Sequence, residues 1–132
     1  MISTPQNKYL NHTVQTATPA QLLIMLYDGC IRFCKLAIHG LEQNDLQLVN
    51  TNLVKAQAII NELIVTLDMN IPLSQDLRQI YDYWNHQLIA ANMGKQKEPV
   101  EEVLGFLTEM KETWVQAARS INAAKPAGGP YG

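Results

Sequence analysis

The side chains of this sequence that could do chemistry are its carboxylates, three histidines, two cysteines and five tyrosines. Their spacing decides which reactions are open. A di-iron or di-manganese centre in a helical bundle wants a Glu from each of two helices and Glu-x-x-His from each of the other two. His12, His39 and His86 have Tyr9, Leu36 and Tyr83 three residues before them, so none completes that motif. Glu98, Glu101, Glu102, Glu109 and Glu112 crowd one stretch, mostly off its apolar rhythm, and read as a solvated face. Cys30 and Cys34 stand one helical turn apart, without the cationic setting that lowers a thiol pKa. They suit small core positions better than a redox or metal pair. No glycine-rich phosphate loop, nucleophile elbow or His-Glu-x-x-His motif is present. The expectation is a protein that is not an enzyme and holds no metal or cofactor.

Composition points the same way. The chain has 132 residues, 47% of them hydrophobic and only 17% charged, with a net charge of −2. One domain is expected, with a real core and apolar surface left over for a partner. A net negative chain lacks the basic stripe that phosphate neutralisation requires, which argues against nucleic acid as a partner. No apolar run approaches the ~18 residues of a membrane span, so no membrane insertion is expected. The first eight residues lack the charged start and apolar stretch of a signal peptide, which implies a cytoplasmic protein with free thiols.

The elements that must position these residues are four helices. Thr18-Pro19-Ala20-Gln21 fits a capping box with proline at the first helical position. From there Leu22, Leu26, Cys30, Phe33, Ala37 and Leu41 fall three or four apart, to a helix end near Gln43. Asp45 can cap a second helix with the seam Leu46, Val49, Leu53, Ala56, Ile60, Leu63 and Leu67, ending near Asp68-Met69-Asn70. Pro72 opens a third helix, with Leu77, Ile80, Trp84, Leu88 and Ala91 as its seam. Gly94 would take the left-handed position after its end. Pro99 suits the first turn of a fourth helix, whose seam is Val100, Val103, Leu107, Met110, Trp114, Ala117 and Ile121. Helices of about 20–25 residues joined by short turns predict an all-α, antiparallel up-down-up-down four-helix bundle. The bundle should occupy residues 18–122, between an N-terminal arm (1–17) and a disordered tail (123–132).

A bundle helix needs roughly three apolar residues in seven. Leu22-Leu23-Ile24-Met25-Leu26-Tyr27 is apolar throughout, and Ile59, Ile64, Val65, Tyr81, Tyr83 and Ile89 add to the excess. Such an excess either marks an interaction surface, widens a small core, or supports a homodimer. In the arm, Tyr9, Leu10 and Val14 are isolated apolar residues that could fold over an exposed patch, or belong to an ordinary mobile terminus.

At these residues the sequence resembles the FliS family of flagellar secretion chaperones. The resemblance is carried by Thr16-Ala17-Thr18-Pro19 with Leu22 to Gly29, and by Lys55-Ala56-Gln57 with Ile60, Glu62-Leu63 and Leu67-Asp68. It continues through Leu77, Tyr81-Asp82-Tyr83, Leu88, Ala91-Asn92 and Glu102-Val103 to Trp114, covering about residues 9 to 118 in order. Two departures stand out: Trp84 where the family often has an aliphatic residue, and His86-Gln87 where it often has basic ones. The resemblance implies a non-catalytic cytoplasmic chaperone that binds the disordered C-terminal segment of flagellin and prevents its premature polymerisation. It also implies delivery to the flagellar export gate, met transiently as part of the loaded complex, and a monomer or weak homodimer.

On that reading Leu22, Met25, Leu26, Ile59, Leu63, Tyr81 and Tyr83 are the expected client contacts, with Tyr9 and Leu10 as a movable cover. Leu22, Leu26 and Leu63 double as seam residues, whereas Met25 and Ile59 fit no seam. Asn92 could meet client backbone amides or cap helix three, and Tyr81-Asp82-Tyr83 could hold a polar partner or seat two rings. The competing reading from another class is a non-catalytic structural or regulatory module that self-associates through the same apolar surface.

Overall fold

A computed structural model describes residues 16–124, with side chains placed through residue 121. The arm expected over 1–17, with Tyr9 and Leu10, lies almost wholly outside these residues, as does most of the tail. Four helices follow in order: α1 Pro19–Glu42, α2 Leu46–Val65, α3 Pro72–Gly94 and α4 Glu98–Ala124. Among the described residues there is no strand. Each helix packs against its chain neighbours, and α4 closes back on α1. This gives the up-down-up-down bundle that the sequence predicts.

The helix starts follow local chemistry. Thr18 Oγ1 accepts from the Gln21 amide at 3.1 Å, and the Thr18 amide donates to Gln21 Oε1 at 2.9 Å. The capping box thus satisfies two otherwise orphaned donors. Asp45 Oδ1 accepts from the Leu48 amide at 3.1 Å and starts α2. Between them Asn44 takes φ 56°, which asparagine tolerates better than most residues. At the end of α3 the left-handed residue is Lys95, at φ 51°, and not Gly94, because the helix runs one residue further than expected. The Lys95 ammonium donates to Asn92 Oδ1, while the Gln96 amide reaches Ala91 O at 3.1 Å. α2 stops at Val65, earlier than the seam suggested, and Thr66 Oγ1 donates to Leu63 O.

The core holds Tyr27, Cys30, Cys34 and Ala37 from α1, and Val49, Leu53, Ala56, Ile60 and Leu63 from α2. α3 gives Leu77, Tyr81, Trp84, Leu88 and Ala91; α4 gives Val100, Val103 and Leu107. At about 1.5–3 kcal/mol for each large apolar side chain buried, this cluster is what makes the bundle stable. Two registers differ from the sequence reading. On α1 the buried row passes through Tyr27, while Leu22 and Leu26 are only half-buried. On α3 Tyr81 is buried and Ile80 is 37% exposed. On α4 the seam fades after Leu107: Met110 and Trp114 are half-buried, while Ala117 and Ile121 are exposed.

Candidate functional site

The two register changes have one cause. Tyr27 and Tyr81, on diagonal helices, bring their hydroxyls to 2.9 Å of each other inside the core. A buried hydroxyl without a partner costs about 1–3 kcal/mol, so each ring can sit inside because the other satisfies it. Tyr27 also meets Trp84 and Trp114 edge-on, with centroids 6.1 and 6.3 Å apart, and Tyr81 lies 5.4 Å from Trp84. Burial pushes both hydroxyls above the usual tyrosine range, and for Tyr27 the Tyr81 hydrogen bond adds to the rise. This aromatic knot takes up the centre of the bundle and turns Ile80 and Tyr83 outward.

Turned outward, they line a groove between α3 and α4, the neighbouring pair with the sparsest contact. Asp76, Gln79, Ile80 and Tyr83 form one wall, Phe106 and Met110 the other, and Trp84 lies beneath. The volume is about 460 Å³. Ile80, Tyr83 and Phe106 are 37%, 45% and 44% exposed, enough to offer rings and methyls to a partner while staying seated. A polar clamp spans the same two helices: Tyr83 Oη donates to Glu102 Oε1 at 2.8 Å, and Gln87 Nε2 to the same oxygen at 2.7 Å. The hydrogen bond to Glu102 raises the Tyr83 hydroxyl above its ordinary range. The clamp fixes the Tyr83 side chain, and a preset wall lowers the entropy cost of seating a ligand.

The residues expected at the site are scattered by the fold. Leu63 and Tyr81 are 0% and 1% exposed, so in this conformation neither has surface to offer. Ile59 is half-buried against the core, its Cδ1 3.0 Å from where a Cβ on Gly29 would stand. Leu26 packs on the core as well, and Leu22 is half-buried beside it. Met25 lines a depression with Thr16, Ala17, Gln21 and Ile24. Tyr83 faces the α3–α4 groove, on the helix diagonal to that of Met25, so the two share no surface. Asn92 donates from Nδ2 to Asn50 Oδ1 on α2 at 2.8 Å and accepts from Lys95, which commits its amide to holding the end of α3. Of the Tyr81-Asp82-Tyr83 run, Asp82 pairs with Arg78 at 3.1 Å.

The sequence reading passed over Phe106, and placed Ile80 and Met110 in the seam. Phe106 was open to detection: it is an aromatic residue off the Val103–Leu107–Met110 rhythm, four residues before Met110. Ile80 was not, because Ile80 and Tyr81 both satisfy the spacing and only the tyrosine partner on α1 decides between them. Cys30 and Cys34 are buried and free. The Cys34 thiol beside it, together with burial, holds the Cys30 thiol well above its ordinary value, and Cys30 Sγ points to Ala56 O at 3.7 Å. Among the described residues no three His, Cys, Asp or Glu side chains converge as a metal site would need, and no helix is long and apolar enough to cross a membrane.

Residues 1–121 match the family model described as flagellar protein FliS. The chain is 41% identical over 119 residues to the flagellar secretion chaperone FliS of Bacillus subtilis (strain 168), covering 90% of each chain. It is 36% identical over 106 residues to that of Salmonella typhimurium, with 78% of each covered. To that of Escherichia coli (strain K12) it is 32% identical over 110 residues, with 81% of each covered. A solved structure described as a flagellar chaperone from bacteria superimposes with a TM-score of 0.73 at 20% identity, over 88% of this chain and 99% of that one; this likeness concerns the fold.

Proposed function

This chain belongs to the FliS family of flagellar secretion chaperones, and from that premise we propose that its client is the disordered C-terminal segment of flagellin. It holds that segment in the cytoplasm, keeps it from polymerising early, and brings it to the export gate. No step of this work breaks a covalent bond, so the chain acts by binding and not as an enzyme. The observation that supports the reading best is the α3–α4 groove: an apolar trough with a rigid aromatic base and a wall already fixed by the Tyr83–Glu102 hydrogen bond. A client helix laid there would present anchors at i, i+3, i+4 and i+7, the helix-in-groove mode. Each anchor fully buried contributes about 1.5–3 kcal/mol, against several kcal/mol for ordering the segment. Ile80, Tyr83, Phe106 and Met110 are the contacts we assign on this face. Met25 and Leu22, near the start of α1, are assigned to a separate contact.

The test is calorimetric titration of a peptide of about the last 40 residues of the cognate flagellin into the folded chain. One-to-one binding with a large negative heat-capacity change is expected. Phe106→Glu and Ile80→Glu should each weaken it by about tenfold or more, since a charge then sits unpaired against apolar surface. Absence of binding at concentrations where the protein is folded would overturn the assignment. Association of the chain with itself in sedimentation, strong enough to be concentration-stable and lost in the same two variants, would transfer the groove to a structural, self-associating role.

A further inference from the structure

A second depression, of about 540 Å³, lies between α1 and α4, and its chemistry is opposite to that of the first. The α3–α4 groove has Asp76 and Glu102 at its edge and no cation in its lining. Here Arg32, Lys35 and Lys111 surround a single carboxylate, Asp28, beside the aliphatic side chains of Ile31 and Leu36. Asp28 is already taken: its Oδ1 lies 2.6 Å from Lys111 Nζ. Arg32 and Lys35 are exposed and, among the described residues, neither makes an ion pair. The cationic strip continues onto α2. The Arg32 guanidinium stands 5.6 Å from the Phe33 ring centre, and Lys55 Nζ 5.5 Å from the same ring. Four of the ten Lys and Arg residues of a chain with net charge −2 are thus gathered on one face.

We propose that this α1–α4 groove is a docking site for an acidic, leucine-bearing segment of a protein partner, separate from the α3–α4 groove. Arg32 and Lys35 are three residues apart, so their side chains project from neighbouring turns about 5–6 Å apart. That separation matches two carboxylates one turn apart on a helical segment, with Ile31 and Leu36 taking the aliphatic side chain between them. Within the groove Lys111 is already neutralised by Asp28, which leaves Arg32 and Lys35 as its two free charges, and charge complementarity selects a partner with two carboxylates in step. A nucleic acid would want a longer row of cations and has no use for the aliphatic wall.

The probe is a fluorescein-labelled, alanine-based helical peptide carrying two Glu three residues apart with Leu on the same face, titrated into the full chain by anisotropy at low salt, with its Gln-for-Glu counterpart as control. The Glu peptide should bind about fivefold to tenfold tighter, the yield of two exposed ion pairs. Raising salt from about 0.05 to about 0.3 M should remove most of that margin. The double variant Arg32→Glu with Lys35→Glu should lose at least about tenfold while melting where the parent does, both side chains being exposed. Lys95→Glu with Lys97→Glu, at the α3–α4 connection, should change nothing. Equal binding of the two peptides overturns the proposal, because charge then plays no part, and equal loss in the two double variants overturns it in favour of unspecific charge attraction. Displacement of the peptide by an oligonucleotide of equal charge at equal concentration also overturns it, as a general polyanion surface. Because the flagellin peptide is titrated separately, its failure to bind would leave the outcome at this groove readable on its own.

Discussion

Replacing Tyr81 by Phe removes one hydroxyl and strands another. Tyr27 Oη then lies in a fully buried setting, having lost its 2.9 Å partner. The net worth of the lost bond is about 1 kcal/mol, and the desolvation of the stranded hydroxyl brings the total to about 1–3 kcal/mol. At about 2.1 cal/mol/K per residue, 132 residues give an unfolding entropy of about 0.28 kcal/mol/K near the midpoint. The expected drop in Tm is therefore about 4–11 °C. Tyr27→Phe should cost a similar amount for the same reason. The double variant should cost about 1 kcal/mol or less, because no buried polar group is left unmatched. Thermal and urea melts followed by circular dichroism measure all three, and the cycle should show a coupling of at least about 1 kcal/mol. Two single losses that simply add, or singles costing under about 0.5 kcal/mol, would refute the idea that the hydroxyl pair admits both rings to the core. The same variant tests the placement of Tyr81. As a support beneath the surface, Tyr81→Phe should leave flagellin-peptide affinity within about twofold wherever the variant is folded.

Three further outcomes follow from the geometry. The raised Tyr27 and Tyr81 hydroxyls keep their protons in the folded state after the unfolded chain has begun to lose them, so their stabilisation is whole below about pH 10 and is lost as pH rises from there; urea melts above that pH should show stability falling, less steeply in Tyr27→Phe/Tyr81→Phe. A Cβ on Gly105 meets nothing within 4 Å, so Gly105→Ala should add about 1 kcal/mol by helix propensity; on Gly40 it would meet Val49 N at 3.1 Å and Asp45 O at 3.2 Å, so Gly40→Ala should destabilise by about 1–3 kcal/mol in the same melts. Lys95→Gly, by relieving φ 51° at the end of α3, should stabilise by up to about 1 kcal/mol, net of the lost bond to Asn92.

What could be read from the chain was what its chemistry decides within a few residues. Thr18 and Gln21 cap each other, Asp45 reaches Leu48, and Pro72 opens α3, all with partners three residues away or nearer. The α2 seam was legible because Val49, Leu53, Ala56, Ile60 and Leu63 are its only evenly spaced apolar row with polar residues beside it. The α1 register was not, since six consecutive apolar residues from Leu22 to Tyr27 erase the period that would show which face turns inward. Tyr27 wins that place through a hydroxyl partner 54 residues away, a contact no local pattern encodes. The expected contacts Leu63 and Tyr81 were drawn into the core by the same packing. The outward turn of Ile80, which opens the α3–α4 groove, is its consequence on the other helix.

Cys30 and Cys34, closed within the bundle, give the chain a gauge of its own opening. A thiol-blocking reagent can reach them only when the helices part. While reclosing is fast, the labelling rate equals the free-thiol rate multiplied by the open fraction. For an opening free energy of about 5 kcal/mol that fraction is on the order of 10⁻⁴, slow enough to follow by mass spectrometry over hours in a crude extract. Any ligand that grips only the folded bundle slows the reaction by the factor 1 + [L]/Kd. Two unmodified cysteines thus turn occupancy of the chaperone at its natural abundance into a mass shift that needs no fluorophore, tag or purification.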